Sequence, residues 1–256
     1  MSFLPASRSH PAQRELPEEV PVALVFDGST AAVMMASPAD LADFALGFAL
    51  TEGFIEAPSE IRDLEEVRHG EGVEVRAWLA RDRSEALAER RRTMLGPVGC
   101  GLCGVDSLDA AMRAIPRVGA EDVRFSPGMV GRAGDLIRDH QPLHDRSQGV
   151  HGAGFLLPGE GIVAAREDVG RHNAVDKLFG GLARAEIDTA QGSLVVTSRV
   201  SVELVQKCAV VGCPALFAVS APTGLAVKTA EQAGITLAAF CRGGDFELFA
   251  HGFRIA

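Results

Sequence analysis

The sequence predicts an α/β protein: a three-layer α/β domain preceded by a smaller α+β part. Two patterns carry that expectation. From Phe155 onward, short apolar runs of strand length alternate with amphipathic helical stretches, the βαβ pattern of a sheet covered by helices on both faces. Before Leu79, hairpin-like strand pairs flank one helix, which is an α+β arrangement. The chain has 256 residues, 47% of them apolar and 23% charged, enough for a sizeable core and within the globular range.

Taken in order, Pro5, Pro11, Pro17 and Pro21 space out a polar leader, so residues 1–21 read as a flexible arm. Residues 22–120 form the N-terminal part and 121–256 the α/β domain. Val22–Phe26 and Ala32–Met35 flank Asp27-Gly28, a dipeptide that tolerates the positive φ of a tight hairpin. Ser37 before Pro38 marks a helix start, and Leu41, Phe44, Ala45 and Phe48 recur at helical spacing toward Gly53. Glu65–Leu79 reads as two strands around His69-Gly70-Glu71-Gly72, followed by an Arg-rich helix from Ser84 to about Met94. The later run is strand Phe155–Leu157, strand Ile162–Arg166, helix Arg171–Ala183, strand Leu194–Thr197, helix Val202–Val211 after the cap Ser201, strand Ala215–Val219, helix Thr223–Ala233 ending at Gly234, and strand Ile235–Phe240.

Charge and cysteine usage exclude several classes. Twenty-five Lys and Arg against 34 Asp and Glu give a net charge of −9, which repels a phosphate backbone and argues against nucleic acid as a ligand. The longest uncharged stretch, Cys208–Val227, is broken by Pro214, Pro222 and Gly224, so no membrane span is expected. Arg8, His10, Pro11 and Arg14 interrupt any signal-peptide core, and five cysteines suit a reducing compartment better than a disulfide framework. Both observations point to the cytoplasm.

The densest chemical signal is Gly96-Pro97-Val98-Gly99-Cys100-Gly101-Leu102-Cys103-Gly104, a Cys-x-x-Cys pair among glycines. Asp106-Ser107 can cap a following helix carrying Leu108, Ala111 and Met112, and a helix N-terminus favours thiolate over a thiol of ordinary pKa ~8.5. Simple space filling fits poorly, because free Cys prefers the interior. A zinc site needs four ligands, and the other close pair, Cys208 and Cys213, reads as core; no structural metal is expected. A thioredoxin-like pair would follow a β-strand, whereas Glu89-Arg90-Arg91-Arg92-Thr93 precedes this one. The same residues spell G-x-G-x-x-G, with Glu121 and Asp122 at a distance suiting a ribose, but again without the required strand. Thiol chemistry on an exposed loop remains.

Three further stretches are candidates. His140, His144, His151 and His172 cluster in sequence; His151, in Gly149-Val150-His151-Gly152-Ala153-Gly154, has small neighbours that would let a ligand approach its ring. The junction Arg166-Glu167-Asp168-Val169-Gly170-Arg171-His172-Asn173 offers either an anion site built by two arginines or a helix cap by Asp168 or Asn173. Phe240-Cys241-Arg242-Gly243-Gly244-Asp245 follows the last apolar strand, where two glycines would expose backbone N–H groups to a phosphate beside Arg242; taken alone, it reads more readily as a hairpin turn into Phe246–Phe249.

Together these stretches resemble the FdhD family of formate dehydrogenase accessory sulfurtransferases. The resemblance rests on Leu46-Gly47-Phe48-Ala49-Leu50-Thr51-Glu52-Gly53, the Cys100/Cys103 loop, Arg166-Glu167-Asp168-Val169-Gly170-Arg171-His172-Asn173-Ala174, Thr197-Ser198-Arg199, Val205-Gln206-Lys207, Ser220-Ala221-Pro222-Thr223 and the Phe-x-Arg-Gly loop. It implies a mixed-sheet, cytidine-deaminase-like fold, a homodimer, and a sulfur carrier that takes persulfide sulfur from a cysteine desulfurase. Its acceptor would be the Mo-bis(molybdopterin guanine dinucleotide) cofactor, before that cofactor enters formate dehydrogenase. Carried over by position, Cys100 is the persulfide carrier, Cys103 its companion, and Phe240, Cys241, Arg242, Gly243, Gly244 and Asp245 the cofactor loop. Asp245 departs from the basic residue common in relatives, and Ser147-Gln148-Gly149 and Gly152 depart around His151. The H-x-E and P-C-x-x-C patterns of zinc deaminases are absent. A cofactor chaperone that never touches sulfur and a dithiol redox enzyme are the competing readings.

Overall fold

The computed structural model describes residues 15–84, 115–119 and 122–256. The sulfur loop with Cys100 and Cys103, most of the Arg-rich helix and most of the predicted arm lie outside the described residues.

Strands β1 (Val20–Phe26) and β2 (Ser29–Ala36) form the predicted hairpin, with Asp27 and Gly28 at φ 50 and 74 in its turn. Strands β3 (Ile61–His69) and β4 (Gly72–Leu79) complete a four-stranded sheet of order β2-β1-β4-β3, in which β1 and β4 are parallel. Val22, Leu24, Phe26, Val73, Val75, Ala77 and Leu79 alternate onto one face, covered by helix α1 (Leu41–Thr51) through Leu41, Phe44 and Ala45.

The second sheet has six strands in the order β10-β9-β8-β7-β5-β6: β5 (His151–Leu157), β6 (Gly161–Asp168), β7 (Ser193–Val196), β8 (Ala215–Ala218), β9 (Thr236–Arg242) and β10 (Asp245–Ala250). Strands β7, β8 and β9 are parallel, and the other pairings are antiparallel. Leu194, Val196, Leu216 and Ala218 pack on one face, while Val195, Ala215 and Phe217 pack on the other. Both faces are buried, as parallel strands require. On the second face lie the short helices α2 (Pro127–Gly131) and α3 (Ala133–Arg138), followed in the chain by α4 (Pro142–Ser147). Helices α5 (Arg171–Arg184), α6 (Val202–Val210) and α7 (Gly224–Ala233) cover the first. The result is the expected three-layer α/β arrangement with a smaller N-terminal α+β part. Gly234 ends α7 as expected, at φ 74, while Thr223, read from sequence as its first residue, caps it instead by accepting from the Ala226 N–H at 3.2 Å.

The two parts meet where α1 crosses α5. A Cβ on Gly47 would stand 1.7 Å from the Asp176 carbonyl oxygen, and one on Gly180 would stand 1.9 Å from that of Asp43. The helix backbones touch, which only glycine allows.

The predicted start of α1 at Ser37 is corrected: the helix begins at Leu41. Ser37 cannot cap because all its polar groups are engaged elsewhere. Its N–H donates to Asp168 Oδ2 at 3.0 Å, its hydroxyl accepts from the Val169 N–H at 3.2 Å, and its carbonyl accepts from Lys177 Nζ at 2.8 Å. Strand β5 also starts four residues before the predicted Phe155.

Candidate functional site

The strand directions place the C-terminal ends of β7, β8 and β9, the C-terminal end of β6 and the N-terminal end of β5 along one edge of the sheet. Helices α5, α6 and α7 all begin at this edge, where ligands of open α/β sheets collect. Two loops there are tied together: the Val200 N–H donates to Ala221 O at 3.1 Å, and the Thr223 N–H to Val200 O at 2.9 Å.

The loop Phe240–Asp245 sits at this edge as a two-glycine hairpin, with Gly243 and Gly244 at φ 64 and 93 and Arg242 opposite Asp245. The alternative turn reading describes its backbone. The expected free N–H groups are not free: that of Gly243 donates to Asp135 Oδ2 at 2.9 Å, and that of Gly244 to Gly131 O at 3.2 Å. Phe240, at φ 56, forms a bulge, so that it packs on the same face as Ala239 and turns Cys241 into the opposite core. Cys241 is fully buried, and burial pushes its thiol up to about 11, so it offers neither thiolate nor contact to a ligand. Arg242 and Asp245 are the exposed side chains of the loop.

The glycines around His151 also have another explanation. A Cβ on Gly152 would stand 2.5 Å from Gln141 Nε2, one on Gly149 2.8 Å from the Pro17 ring, and one on Gly154 3.1 Å from Ile137. They admit protein rather than ligand. His151 is half-buried, and burial, with Arg171 next, lowers its pKa.

The Arg166–Asn173 junction resolves into a cap and a buried ion network. Arg166 bonds Asp43 at 2.7 and 3.0 Å, which removes it from any anion site. Asp168 accepts the Gly170 N–H at 2.7 Å and Asn173 Nδ2 at 2.9 Å, and pairs with Lys177 Nζ at 2.6 Å, both ions at 0% exposure. A second network lies one step along the crossing. Lys207 Nζ meets Thr51 Oγ1 at 2.9 Å, Glu52 Oε1 at 3.0 Å and Asp176 Oδ1 at 2.9 Å. Burial opposes the Lys207 ammonium, but Asp176 and Glu52 outweigh it and hold its pKa above the ordinary value. Phe44 lies over Lys177 and Phe48 over Lys207. Neither network was anticipated as an ion pair from the sequence, although Thr51, Glu52, Asp168 and Lys207 stand within the motifs that carry the family resemblance.

His172, the second residue of α5, faces the start of α6: Nε2 lies 3.3 Å from Ser201 Oγ and 3.9 Å from Glu203 Oε2, an oxygen with no hydrogen-bond partner among the described residues. Ser201 occupies the predicted cap position, but its side chain makes no capping bond. Burial, then the charges of Arg171 and Lys207, lower His172 to about 4, so the ring is neutral near pH 7. Its folded value lies below the ordinary 6.5, so the unfolded chain binds more protons between those two values. Stability should therefore be complete above about pH 6.5 and fall as pH drops toward 4, by about 1–2 kcal/mol once the ring's one-third exposure is discounted. Chemical denaturation at pH 7 and pH 4.5 reads this, and a His172→Phe variant with an unchanged slope would refute it.

No group of His, Cys, Asp and Glu among the described residues is arranged to hold a metal ion. What the edge does present is cationic: Arg171 at the start of α5, Arg199 in the loop after β7 and Arg242 at the end of β9 pair with no carboxylate among the described residues. Cys208 and Cys213, read from sequence as core, are fully buried.

A mixed six-stranded sheet with helices on both faces defines an α/β protein of the kind seen in a solved chain from Desulfotalea psychrophila, described as a candidate formate dehydrogenase accessory protein. The two superpose with a TM-score of 0.73 over 94% of this chain and 90% of that one, at 23% identity. The FdhD/NarQ family model matches residues 17–256, and the chain belongs to that family. Among its relatives are proteins named sulfur carrier protein FdhD. The one from Agrobacterium fabrum is 52% identical over 95% of this chain and 90% of its own, and the one from Brucella abortus is 45% identical over 95% and 91%.

Proposed function

We propose that this chain is a sulfur carrier serving formate dehydrogenase, acting in the cytoplasm as a homodimer. The observation that carries this reading is the family match over residues 17–256, with close relatives bearing the sulfur-carrier name. Among the described residues no helix is long and apolar enough to cross a membrane.

In this reading the Cys100 thiolate attacks the outer sulfur of a cysteine desulfurase persulfide. The S–S bond of the donor breaks, the desulfurase thiolate leaves, and Cys100 holds the persulfide with no net oxidation. Cys103 is positioned by sequence to assist release. The sulfur acceptor is the Mo-bis(molybdopterin guanine dinucleotide) cofactor, bound as a substrate at the arginine-lined edge. Arg242 would supply charge to its phosphates, aided by Arg171 and Arg199. Because the Gly243 and Gly244 N–H groups are taken, anion contacts there fall to side chains, and Asp245 weakens them.

The test is mass spectrometry after incubation with a desulfurase and cysteine. One added sulfur atom is expected on the Cys100 peptide and none on a Cys100→Ala variant. Undiminished labelling of that variant removes Cys100 from the mechanism, and normal formate dehydrogenase maturation by it would favour a chaperone role.

A further inference from the structure

Glu203, the second residue of α6, differs from the carboxylates around it. Asp168 is paired with Lys177, and Glu52 and Asp176 are paired with Lys207. Glu203 has no such cation. The basic group it faces is His172 Nε2, 3.9 Å from Oε2 and beyond hydrogen-bond reach, and that ring is uncharged near pH 7. Oε2 is shielded from water and receives no hydrogen bond from any described residue. Burial opposes the charge of this carboxylate, but the Ser201 hydroxyl and its own backbone N–H outweigh burial and hold its pKa below the ordinary value. It is therefore ionised at neutral pH. An ionised oxygen without a donor carries a desolvation cost that an N–H group of a ligand would relieve. The side chain is also within reach, since Glu203 keeps 35% exposure and His172 keeps 34%. Helix α6 starts at the same sheet edge as α5, beside Arg171 and Arg199.

We infer that Glu203 recognises the ring of a ligand bound at this edge and selects the 2-amino-4-oxopyrimidine type. Such a ring presents a ring N–H and an exocyclic NH2 side by side, two donors that one carboxylate accepts in parallel. Cytosine and adenine place an acceptor nitrogen beside their amino group, and a carboxylate repels it. Guanine and pterin both carry the 2-amino-4-oxopyrimidine edge. The cofactor proposed above contains both, and the inference rests on that reading of the ligand. Ser201 and His172 are positioning residues: the Ser201 hydroxyl holds the carboxylate and lies 3.3 Å from His172 Nε2, and the neutral ring leaves the negative charge of Glu203 free for the ligand. Arg171 and Arg199 are left to the phosphates.

Isothermal titration calorimetry of the full chain with GDP, CDP, ADP and neopterin tests this. Glu203→Gln exchanges one acceptor oxygen for a donor and should cut the affinity of GDP or of neopterin by about ten- to a hundredfold, while CDP and ADP stay as they were. A loss for GDP places guanine at Glu203, and a loss for neopterin places the pterin there. Arg171→Gln, by contrast, should weaken GDP and CDP alike. A parent chain that binds none of the four overturns both the ligand edge and this inference. Binding of GDP and neopterin that survives Glu203→Gln overturns the role of Glu203 alone, as do equal losses for GDP, CDP and ADP. Sulfur labelling of Cys100 is independent of every one of these results.

Discussion

Replacing Asp168 by Ala should destabilise the protein by about 3–5 kcal/mol, because it leaves the Lys177 ammonium buried without a counter-ion. Asp168 receives the Ser37 and Gly170 N–H groups, Asn173 Nδ2 and Lys177 Nζ, at distances between 2.6 and 3.0 Å, with neither ion exposed. All four donors lose this acceptor at once; Lys177 Nζ keeps only the neutral Ser37 carbonyl and Asn173 Nδ2 the Met35 carbonyl. Replacing the pair together, Asp168→Leu with Lys177→Met, should recover most of the loss, since a packed apolar pair is often as stable as a buried ion pair. Urea denaturation measures both. Because Ser37 lies in the N-terminal part and Asp168 in the α/β part, the single Trp78, on β4, should report the same lowered midpoint as circular dichroism of the whole chain. A loss under about 1 kcal/mol, or a Trp78 midpoint that stays in place, would contradict this account of the junction.

That junction also marks where sequence reading stops. Elements governed by neighbours a few residues away were legible: the Asp27-Gly28 hairpin, the Gly234 stop and the alternation of β7, α6, β8, α7 and β9. Ser37 followed by Pro38 carries a sound local helix signal, yet its partners Asp168 and Lys177 lie 131 and 140 residues away, and no periodicity reports them. The candidate site divides the same way. Strand order and helix starts were legible, and they place Arg242 and His172 at one edge of the six-stranded sheet. Whether a glycine N–H is free depends on Asp135 and Gly131 from another layer, and the bulge that buries Cys241 depends on a positive φ that Phe rarely adopts. The motifs that carry the family resemblance are in good part this buried interlock. Gly47, Phe48, Thr51, Glu52, Asp168, Asn173 and Lys207 hold α1, α5 and α6 together.

Gly180→Ala tests the helix crossing with two effects of opposite sign. Within a helix, Ala is favoured over Gly by about 1 kcal/mol, so propensity alone predicts a gain. At this position the new Cβ would stand 1.9 Å from the Asp43 carbonyl oxygen and 2.8 Å from the Gly47 N, both backbone atoms that no rotamer change can move. Helix α1 would have to lift off α5, pulling Thr51 and Glu52 from Lys207 and Asp43 from Arg166. The clash and the opened ion network together should exceed the propensity gain, for a net loss of at least about 3 kcal/mol. Gly224→Ala, at the first residue of α7 with open space around its Cβ position, supplies the control and should be neutral or slightly stabilising. If Gly180→Ala proved as stable as the parent, the close backbone contact could not be what fixes α1 on α5, and the coupling between the two parts would have to rest on the lysine networks alone.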